Sequence, residues 1–159
     1  MKTIAHTINL HDIGGIQHGF VPFYRHVRTG RGFRHKVFGF YYDAESYRDI
    51  PFKNIRRSFL HQLEYAIDVM SPMSIVHYYN MLGGRQISRL LDFLPACRIM
   101  FHHRVRVWSM GEDYSDRCRG NAERASVILT NSQATKVMLH RKMGIPLKNM
   151  IVVYNGFRD

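Results

Sequence analysis

Cysteine is scarce in this chain, and its scarcity excludes several classes of protein. The 159 residues contain only Cys97 and Cys118. Two cysteines are too few for a disulfide framework, and these two are too far apart for a Cys-x-x-Cys metal or redox motif. Because both thiols are expected to stay reduced, the sequence favours a cytoplasmic protein over a small secreted scaffold.

Long apolar runs are also lacking. No stretch approaches the roughly 18 apolar residues that a membrane-spanning helix needs. The first residues contain His6, Asn9 and His11, which interrupt the apolar region of any secretory signal. Any contact with a membrane is therefore expected to be peripheral, at the inner face.

Several motifs of enzymes and metal sites do not occur. The chain has no GxGxxG, GxSxG, Walker lysine or HExxH sequence. His102 and His103 are adjacent at the end of a predicted strand, so their side chains point to opposite faces and cannot readily hold one ion together. No metal cofactor is expected, and one of these histidines is a candidate acid, base or hydrogen-bond donor while the other packs.

Acidic residues are few, and the chain is strongly basic. There are 12 acids against 23 lysines and arginines, which gives a net charge of +11 at pH 7. Hydrophobic residues make up 45% and charged residues 22%, which is ordinary globular usage and predicts one domain over residues 1–159. The charge predicts an acidic partner, namely nucleic acid, an anionic membrane surface or a phosphorylated substrate.

Short β-rich runs alternate with stretches of helical spacing. The strands are predicted at Thr3–Asn9, Lys36–Tyr42, Ser74–Tyr79, Arg98–His102, Ser126–Thr130 and Met150–Tyr154. The helices are predicted at Ile16–Arg28, Asn54–Met70, Arg85–Leu94, Asp116–Arg124 and Gln133–Met143. This alternation predicts a Rossmann-like, doubly wound α/β fold, with a mainly parallel sheet of about six strands and helices on both faces.

Two details sharpen this prediction. The last helix has a Ser132 cap at its start and Gly144 at its end, so its bounds are well defined. The second helix carries an apolar stripe that is expected to pack in the core, formed by Ile55, Phe59, Leu63, Ala66, Ile67 and Met70.

Polar residues follow the predicted strands at the edge where ligands bind in open parallel sheets. Because the carboxyl ends of parallel strands share one edge, these residues are expected to line one crevice, although a solvated rim would have the same composition. They are His11, Asp12, His77, Tyr79, Asn80, Asn131, Ser132 and Asn155.

The loop after the first strand contains a glycine pair, Gly14 and Gly15, with Gln17 opening the next helix. Without a Cβ at these positions, backbone amides at the helix start can approach an anion, and the helix dipole favours negative charge there. A plain tight turn remains the alternative interpretation.

Basic residues with interleaved aromatics form a predicted membrane or anion patch. Its members are Arg25, Arg28, Arg31, Arg34 and Lys36. Such a mixture suits the headgroup layer of an anionic membrane. It would also suit single-stranded nucleic acid, or simply solvated faces around a core that uses the aromatics.

Four segments together resemble the N-terminal domain of GT-B glycosyltransferases of the large retaining family four. They are HDIGGIQ, SIVHYYN, IMFHHR and ERASVILTNSQATKVMLHRKMGIPLKNMIVVYNGF, and the last is the specific one. The resemblance spans essentially the whole chain. It implies that residues 1–159 are the acceptor-side half of a two-domain enzyme, whose C-terminal, nucleotide-sugar-binding domain is absent from this chain.

The resemblance also implies roles for individual residues. Gly14 and Gly15 match the loop whose amides reach the donor diphosphate, with Gln17 beside it, and His102 matches a histidine near the transferred sugar. The second histidine, His103, leaves open which of the pair has this role. A diphosphate held by a helix N-terminus needs no metal, so the nucleotide sugar would be a co-substrate and no cofactor is implied.

The function implied is transfer of a sugar from a nucleotide-sugar donor to a lipid-linked or polysaccharide acceptor, in cell-surface glycan synthesis. The fragment alone would be inactive. The alternatives are a non-catalytic binding module for an acidic glycan, anionic lipid or protein partner, and a nucleic-acid-binding domain, which the sequence makes the least favoured.

Overall fold

Helices follow strands along most of the chain in the computed structural model, which describes residues 2–11, 15–80, 82–84, 98–103 and 112–154. The chain divides into two compact units. Unit 1 comprises Met1–Tyr79 with Pro95–Arg98, and unit 2 comprises Asn80–Leu94 with Ile99–Asp159. Within the described ranges, no helix is long and apolar enough to span a lipid bilayer.

Unit 1 contains four parallel strands in the order β3-β2-β1-β4 and two helices. Its strands are β1 (Lys2–Thr7), β2 (Phe33–Gly39), β3 (Phe52–Asn54) and β4 (Ser74–Tyr79). Its helices are α1 (Gly15–Val27) and α2 (Phe59–Met70).

Unit 2 contains three parallel strands in chain order. They are β5 (Arg98–His103), whose first residue is counted in unit 1, β6 (Val127–Thr130) and β7 (Met150–Val152). Its described helices are α3 (Glu112–Glu123) and α4 (Gln133–Met143), with a 3-10 turn at Leu147–Asn149 before β7.

The two helices of unit 1 cover opposite faces of its sheet. Successive residues of β1 point to opposite sides, as the pleat of a strand requires. His6 contacts the ring of Phe20 on α1, whereas the hydroxyl of Thr7 lies 3.1 Å from that of Tyr65 on α2. This arrangement confirms the predicted doubly wound α/β fold.

The element predictions hold best where the local signals are strong. β4 and α4 have the predicted bounds. In α4 the Ser132 hydroxyl accepts from the Thr135 amide at 3.1 Å, and Gly144 ends the helix with a left-handed φ of 66°. The predicted helix at residues 85–94 lies outside the described residues.

The second helix starts later than predicted because a turn precedes it. The Asn54 side chain accepts from the amides of Arg56 and Arg57 at 2.9 and 3.1 Å, and Ser58 then caps α2. Residues 52–54 form the short strand β3, which the sequence prediction missed. A three-residue strand is too short to show a period.

The predicted packing of α2 is wrong in its orientation. Tyr65, Asp68 and Val69 are buried, whereas Phe59 and Ile67 of the predicted core stripe are exposed. The sheet beneath α2 is partly polar, and polar side chains of the helix pair with it. Periodicity shows that a helix has an apolar side, but it does not show which side meets the sheet.

Part of the described core of unit 2 lies under α3. Cys118 is completely buried, and Asn121 donates its side-chain amide to the Leu82 carbonyl at 2.5 Å. Gly83 lies against the Tyr114 ring, which occupies the space a Cβ would need. Burial raises the pKa of the Cys118 thiol to about 12.

Candidate functional site

Three side chains meet beyond the carboxyl ends of three neighbouring strands in unit 1. His11 follows β1, Tyr41 follows β2 and Arg56 follows β3. The rings of His11 and Tyr41 have centroids 5.3 Å apart, and the Arg56 guanidinium lies 5.3 Å from the Tyr41 ring centroid. We call these three residues the edge cluster.

Local backbone pairing positions the edge cluster. The Leu10 amide donates to the Tyr41 carbonyl at 2.9 Å, which continues the β1–β2 pairing past the strand ends and holds His11 beside Tyr41. The Asn54 side chain accepts from the Arg56 amide at 2.9 Å, which holds Arg56 in a turn just beyond the end of β3. The three elements therefore deliver their side chains to one place.

The edge cluster is open to solvent and combines complementary chemical groups. Tyr41 is 43% exposed, and His11 and Arg56 are exposed as well. A guanidinium pairs with phosphate or carboxylate, and a phenol ring offers an apolar face with a polar tip. The sequence indicated His11 but neither Tyr41, which lay inside the predicted second strand, nor Arg56, which lay inside a predicted helix because β3 was not predicted.

The helix that starts at this edge is α1. Gly15 is its first residue, and its first turn contains no acidic side chain to offset the positive end of the helix dipole. Gln17 is nearly buried and donates to the Asn9 carbonyl at 3.0 Å, so it ties the helix start to the end of β1 rather than facing a ligand. Asp12 and Gly14 lie outside the described residues.

His77 and Tyr79 lie in the core beneath α1 instead of lining an open crevice. Their exposed fractions are 4% and 5%, and their ring centroids are 4.0 Å apart. Tyr79 packs edge-on against Phe20 of α1. The predicted crevice role of these two residues does not fit this placement. Because helices cover both faces of the sheet, the side chains of a strand pack against a helix on whichever face they lie.

A histidine pair lies next to them, of which His6 is buried and His35 is half-buried. Nε2 of His6 is 2.9 Å from Nδ1 of His35, and the two rings stack. Burial, and secondarily the nearby His35, lower the pKa of His6 to about 3. At neutral pH His6 is therefore an uncharged core residue.

The two adjacent histidines of β5 have different environments in unit 2. His103 is completely buried and His102 is half-buried, in agreement with the expected alternation along the strand. The Asn80 amide donates to the His102 carbonyl at 2.8 Å, and Asn80 has a left-handed φ of 55°. Of the pair, only His102 keeps side-chain surface that a ligand could contact.

The polar residues after β6 stabilise α4. The hydroxyl of Thr135 donates to the Asn131 side chain at 3.0 Å, while the Ser132 hydroxyl caps the helix. Their polar atoms are thus used within unit 2, and their predicted role at a crevice stays a prediction. Asn155 lies outside the described residues.

The predicted basic patch is smaller than its sequence suggests. Arg25 forms a two-pronged pair with Asp49 at 2.7 and 3.0 Å. Lys36 points inward to Asp68 at 2.7 Å and Glu64 at 3.0 Å, so its assignment to the patch is wrong. Its position on β2 puts its side chain on the side of the sheet that α2 covers, beside the two carboxylates of that helix. The remaining exposed arginines of the patch are Arg28, Arg31 and Arg34.

Solved structures with this fold are known. HepE (Alr3699) of Anabaena in complex with UDP matches 99% of this chain with 44% of its own, at 19% identity and a TM-score of 0.74. HepE with UDP and glucose matches 99% of this chain with 45% of its own, at 16% identity and a TM-score of 0.72.

An α-glucosyltransferase in complex with UDP and a 13-mer DNA containing an HMU base also matches. The alignment covers 98% of this chain and 43% of that one, at 12% identity and a TM-score of 0.61. No protein-family model and no curated protein matches the sequence. The chain spans less than half the length of these structures. Their likeness establishes that this chain has the Rossmann-like α/β fold of one domain of GT-B enzymes.

Proposed function

We propose that this chain is the acceptor-side domain of a glycosyltransferase that uses a nucleotide-sugar donor. The observation that carries the proposal is the alignment with solved structures that hold UDP. It covers nearly the whole of this chain and less than half of each of those chains. A domain of that size within a longer enzyme supplies part of an active site. The rest, including the nucleotide-binding domain, would come from elsewhere in the same protein or from a partner subunit.

The carboxyl edge of unit 1 suits the anionic part of this chemistry. Cleaving a sugar–phosphate bond requires stabilisation of the leaving diphosphate, and preorganised backbone amides do this without a metal. The start of α1, reached through Gly14 and Gly15, would provide such amides. The edge cluster would hold a sugar or an anionic group of the acceptor through Tyr41 and Arg56.

The finer features of the proposal come from the sequence resemblance. His102, or its neighbour His103, would act near the transferred sugar, and transfer would proceed with retention. The acceptor would be lipid-linked or a polysaccharide of the cell surface, and the enzyme would work in the cytoplasm at the inner membrane face. This domain alone would turn over no substrate.

The proposal can be tested by nuclear magnetic resonance on the chain. UDP-glucose at millimolar concentration is expected to shift the amide signals of Gly15 and of the edge cluster. The variant Gly15→Trp should abolish these shifts, because its side chain fills the approach to the helix start. Gly120→Trp is the matched control, since Gly120 is exposed on α3 and has no atom near the position of a Cβ.

Two results would contradict the proposal. If no nucleotide sugar shifts these signals in a chain whose spectrum shows it folded, while an acidic glycan or lipid does, the chain is a non-catalytic binding module. If an arbitrary oligonucleotide binds tightly with steep salt dependence, the basic charge serves nucleic acid instead.

A further inference from the structure

Helix α2 carries an apolar face on the side away from the sheet. We call it the α2 outer face and define it by Phe59, Leu60, Leu63, Ile67 and Met70. These side chains are 75%, 73%, 49%, 62% and 60% exposed. At 100° per residue they lie opposite Tyr65, Asp68 and Val69, which are buried. Just beyond the helix, Met73 is 54% exposed.

The orientation of α2 is fixed by contacts that would be lost if the helix turned over. Lys36 on β2 pairs with Asp68 at 2.7 Å and with Glu64 at 3.0 Å. The Tyr65 hydroxyl donates to that of Tyr78 at 2.9 Å and lies 3.1 Å from that of Thr7. The sheet therefore selects the polar side of α2 and leaves the apolar side to solvent.

An exposed apolar face of this length is uncommon on an isolated soluble domain and marks a surface that contacts something else. The charges around it indicate what that is. The only acids of α2 are Glu64 and Asp68, and both are paired inwards with Lys36 and Lys53. The α2 outer face therefore contains no carboxylate.

Two exposed arginines, Arg56 and Arg57, precede the helix. They lie at its N-terminal end, where the helix dipole disfavours cations. Among the described residues, Arg57 has no carboxylate partner, whereas Arg56 stacks on Tyr41. Apolar side chains with cations at one end and no carboxylate among them suit the boundary between the phosphates and acyl chains of an anionic bilayer.

We propose that the α2 outer face docks the protein on an anionic lipid bilayer, with the apolar side chains below the phosphates and Arg57 among them. A second copy of the chain fits the same face less well, because each copy carries a net charge of +11. Nucleic acid would use the cations but not the apolar row. The proposal is independent of the proposed glycosyl transfer, and it moves the membrane contact from the predicted patch on α1 and β2 to α2.

Co-sedimentation of the 159-residue chain with lipid vesicles tests this. Binding is expected to vesicles of phosphatidylcholine mixed with phosphatidylglycerol and to be much weaker with phosphatidylcholine alone. The double variant Leu63→Ser with Ile67→Ser should lower the partition coefficient by about tenfold or more. Arg57→Glu should lower it by at least about fivefold, because each cation near the surface contributes about that much and an acid is repelled.

Two control variants test whether binding depends on this face rather than on any exposed apolar side chain or any positive charge. Val137→Ser removes an exposed apolar side chain from α4, and Arg31→Glu changes a charge in the predicted patch. Val137→Ser should leave binding unchanged, and Arg31→Glu should reduce it less than Arg57→Glu does. Thermal unfolding is expected to show that all four variants are folded, because every changed side chain is exposed.

Three outcomes would overturn the proposal. The first is unchanged vesicle binding of the folded Leu63→Ser with Ile67→Ser variant. The second is no binding of the wild-type chain to the anionic vesicles. The third is a stable dimer of the wild-type chain at low salt, seen by analytical ultracentrifugation and lost in the double variant, which would identify a second copy as the occupant.

Discussion

Two glycines of this chain are constrained very differently at the level of single atoms. At Gly39, which ends β2, a Cβ would collide with the backbone carbonyl of Ile8, just after β1, and with the Phe52 ring. At Gly120, on the exposed side of α3, a Cβ would meet nothing. The first glycine is required by a close approach of two strands, and the second only adds flexibility to a helix.

Alanine substitutions should reveal this difference. Gly39→Ala is expected to lower the free energy of unfolding by about 1–3 kcal/mol, because a backbone atom has to move. Gly120→Ala is expected to raise it by about 0.5–1 kcal/mol. Urea unfolding measures both, and equal effects of the two substitutions would contradict the structure.

His6 should make the protein sensitive to acid. Its pKa is 6.5 when unfolded and about 3 in the fold, because burial and then His35 disfavour the charged ring. Below pH 6.5 the His6 ring is protonated in the unfolded chain, whereas in the folded chain it is protonated only below about pH 3. The free energy of unfolding should therefore decrease by up to about 1.4 kcal/mol for each unit by which the pH is lowered over this range.

The comparison with His6→Gln isolates this contribution, since an amide does not titrate. The rings around His6 are those of His35, His77, Tyr79, Phe20, Phe23 and Tyr24. Burial lowers the pKa of His35 as well, so some acid sensitivity will remain in the variant. Urea unfolding between pH 7 and pH 4 should show a shallower slope for His6→Gln; identical slopes would show that His6 is not buried as a neutral group.

The candidate site could be predicted from the sequence only in part at the residue scale. The strand ends indicated His11, which lies beside Tyr41 beyond β1, because strand ends can be read from composition; its role there stays a prediction. The inward roles of Gln17 and Lys36 could not be read, since they depend on partners such as Asn9 and Asp68 that are distant in the sequence. Long-range pairing decides whether a polar side chain faces a ligand or the protein.

At the element scale, the ion pairs under α2 should control how firmly the helix is held. Lys36 lies among carboxylates with 16% of its side chain exposed, and 10% of the Asp68 side chain is exposed. Burial opposes the lysine charge, but hydrogen bonds to Asp68 and Glu64 outweigh it and raise the pKa of Lys36. Lys36→Met should therefore cost about 3 kcal/mol, because it leaves Asp68 buried without its cation.

A second substitution tests the cause of that loss. Lys36→Met combined with Asp68→Leu should recover most of the stability, since a buried ion pair replaced by apolar groups is often neutral or better. Denaturant unfolding of the two variants provides the comparison. If the double variant is less stable than Lys36→Met, lost packing rather than the unpaired charge explains the effect.

Elements with a capping residue at the start and a stop residue at the end could be predicted from the sequence, and elements without such residues could not. α4 has a serine cap and a glycine stop, both visible in the sequence. β3 has three residues, and the rotation of α2 depends on the sheet beneath it. The apolar stripe of α2 was read correctly as a stripe, but the α2 outer face emerged only when the partners of Tyr65 and Asp68 were known.

For the whole molecule, the fold class followed from the alternation of strands and helices alone. The alternation predicted helices on both faces of the sheet, and β1 is covered on both faces in unit 1. Charge was less informative than its total suggested. The net +11 is distributed between inward ion pairs, such as that of Lys36, and exposed arginines, and only the structure separates the two.

The rate at which the Cys118 thiol is alkylated can measure how often unit 2 opens. Its thiol is completely buried, and a pKa of about 12 rather than 9.0 leaves about a thousandfold less reactive thiolate than in an unfolded chain. Alkylation followed by peptide mass spectrometry should therefore label Cys118 only as fast as α3 lifts from its core, and should accelerate in urea. Labelling of the native chain as fast as of the denatured chain would contradict this. The access of reagent to one sulfur atom thus reports the opening of the core around Cys118 without any engineered probe.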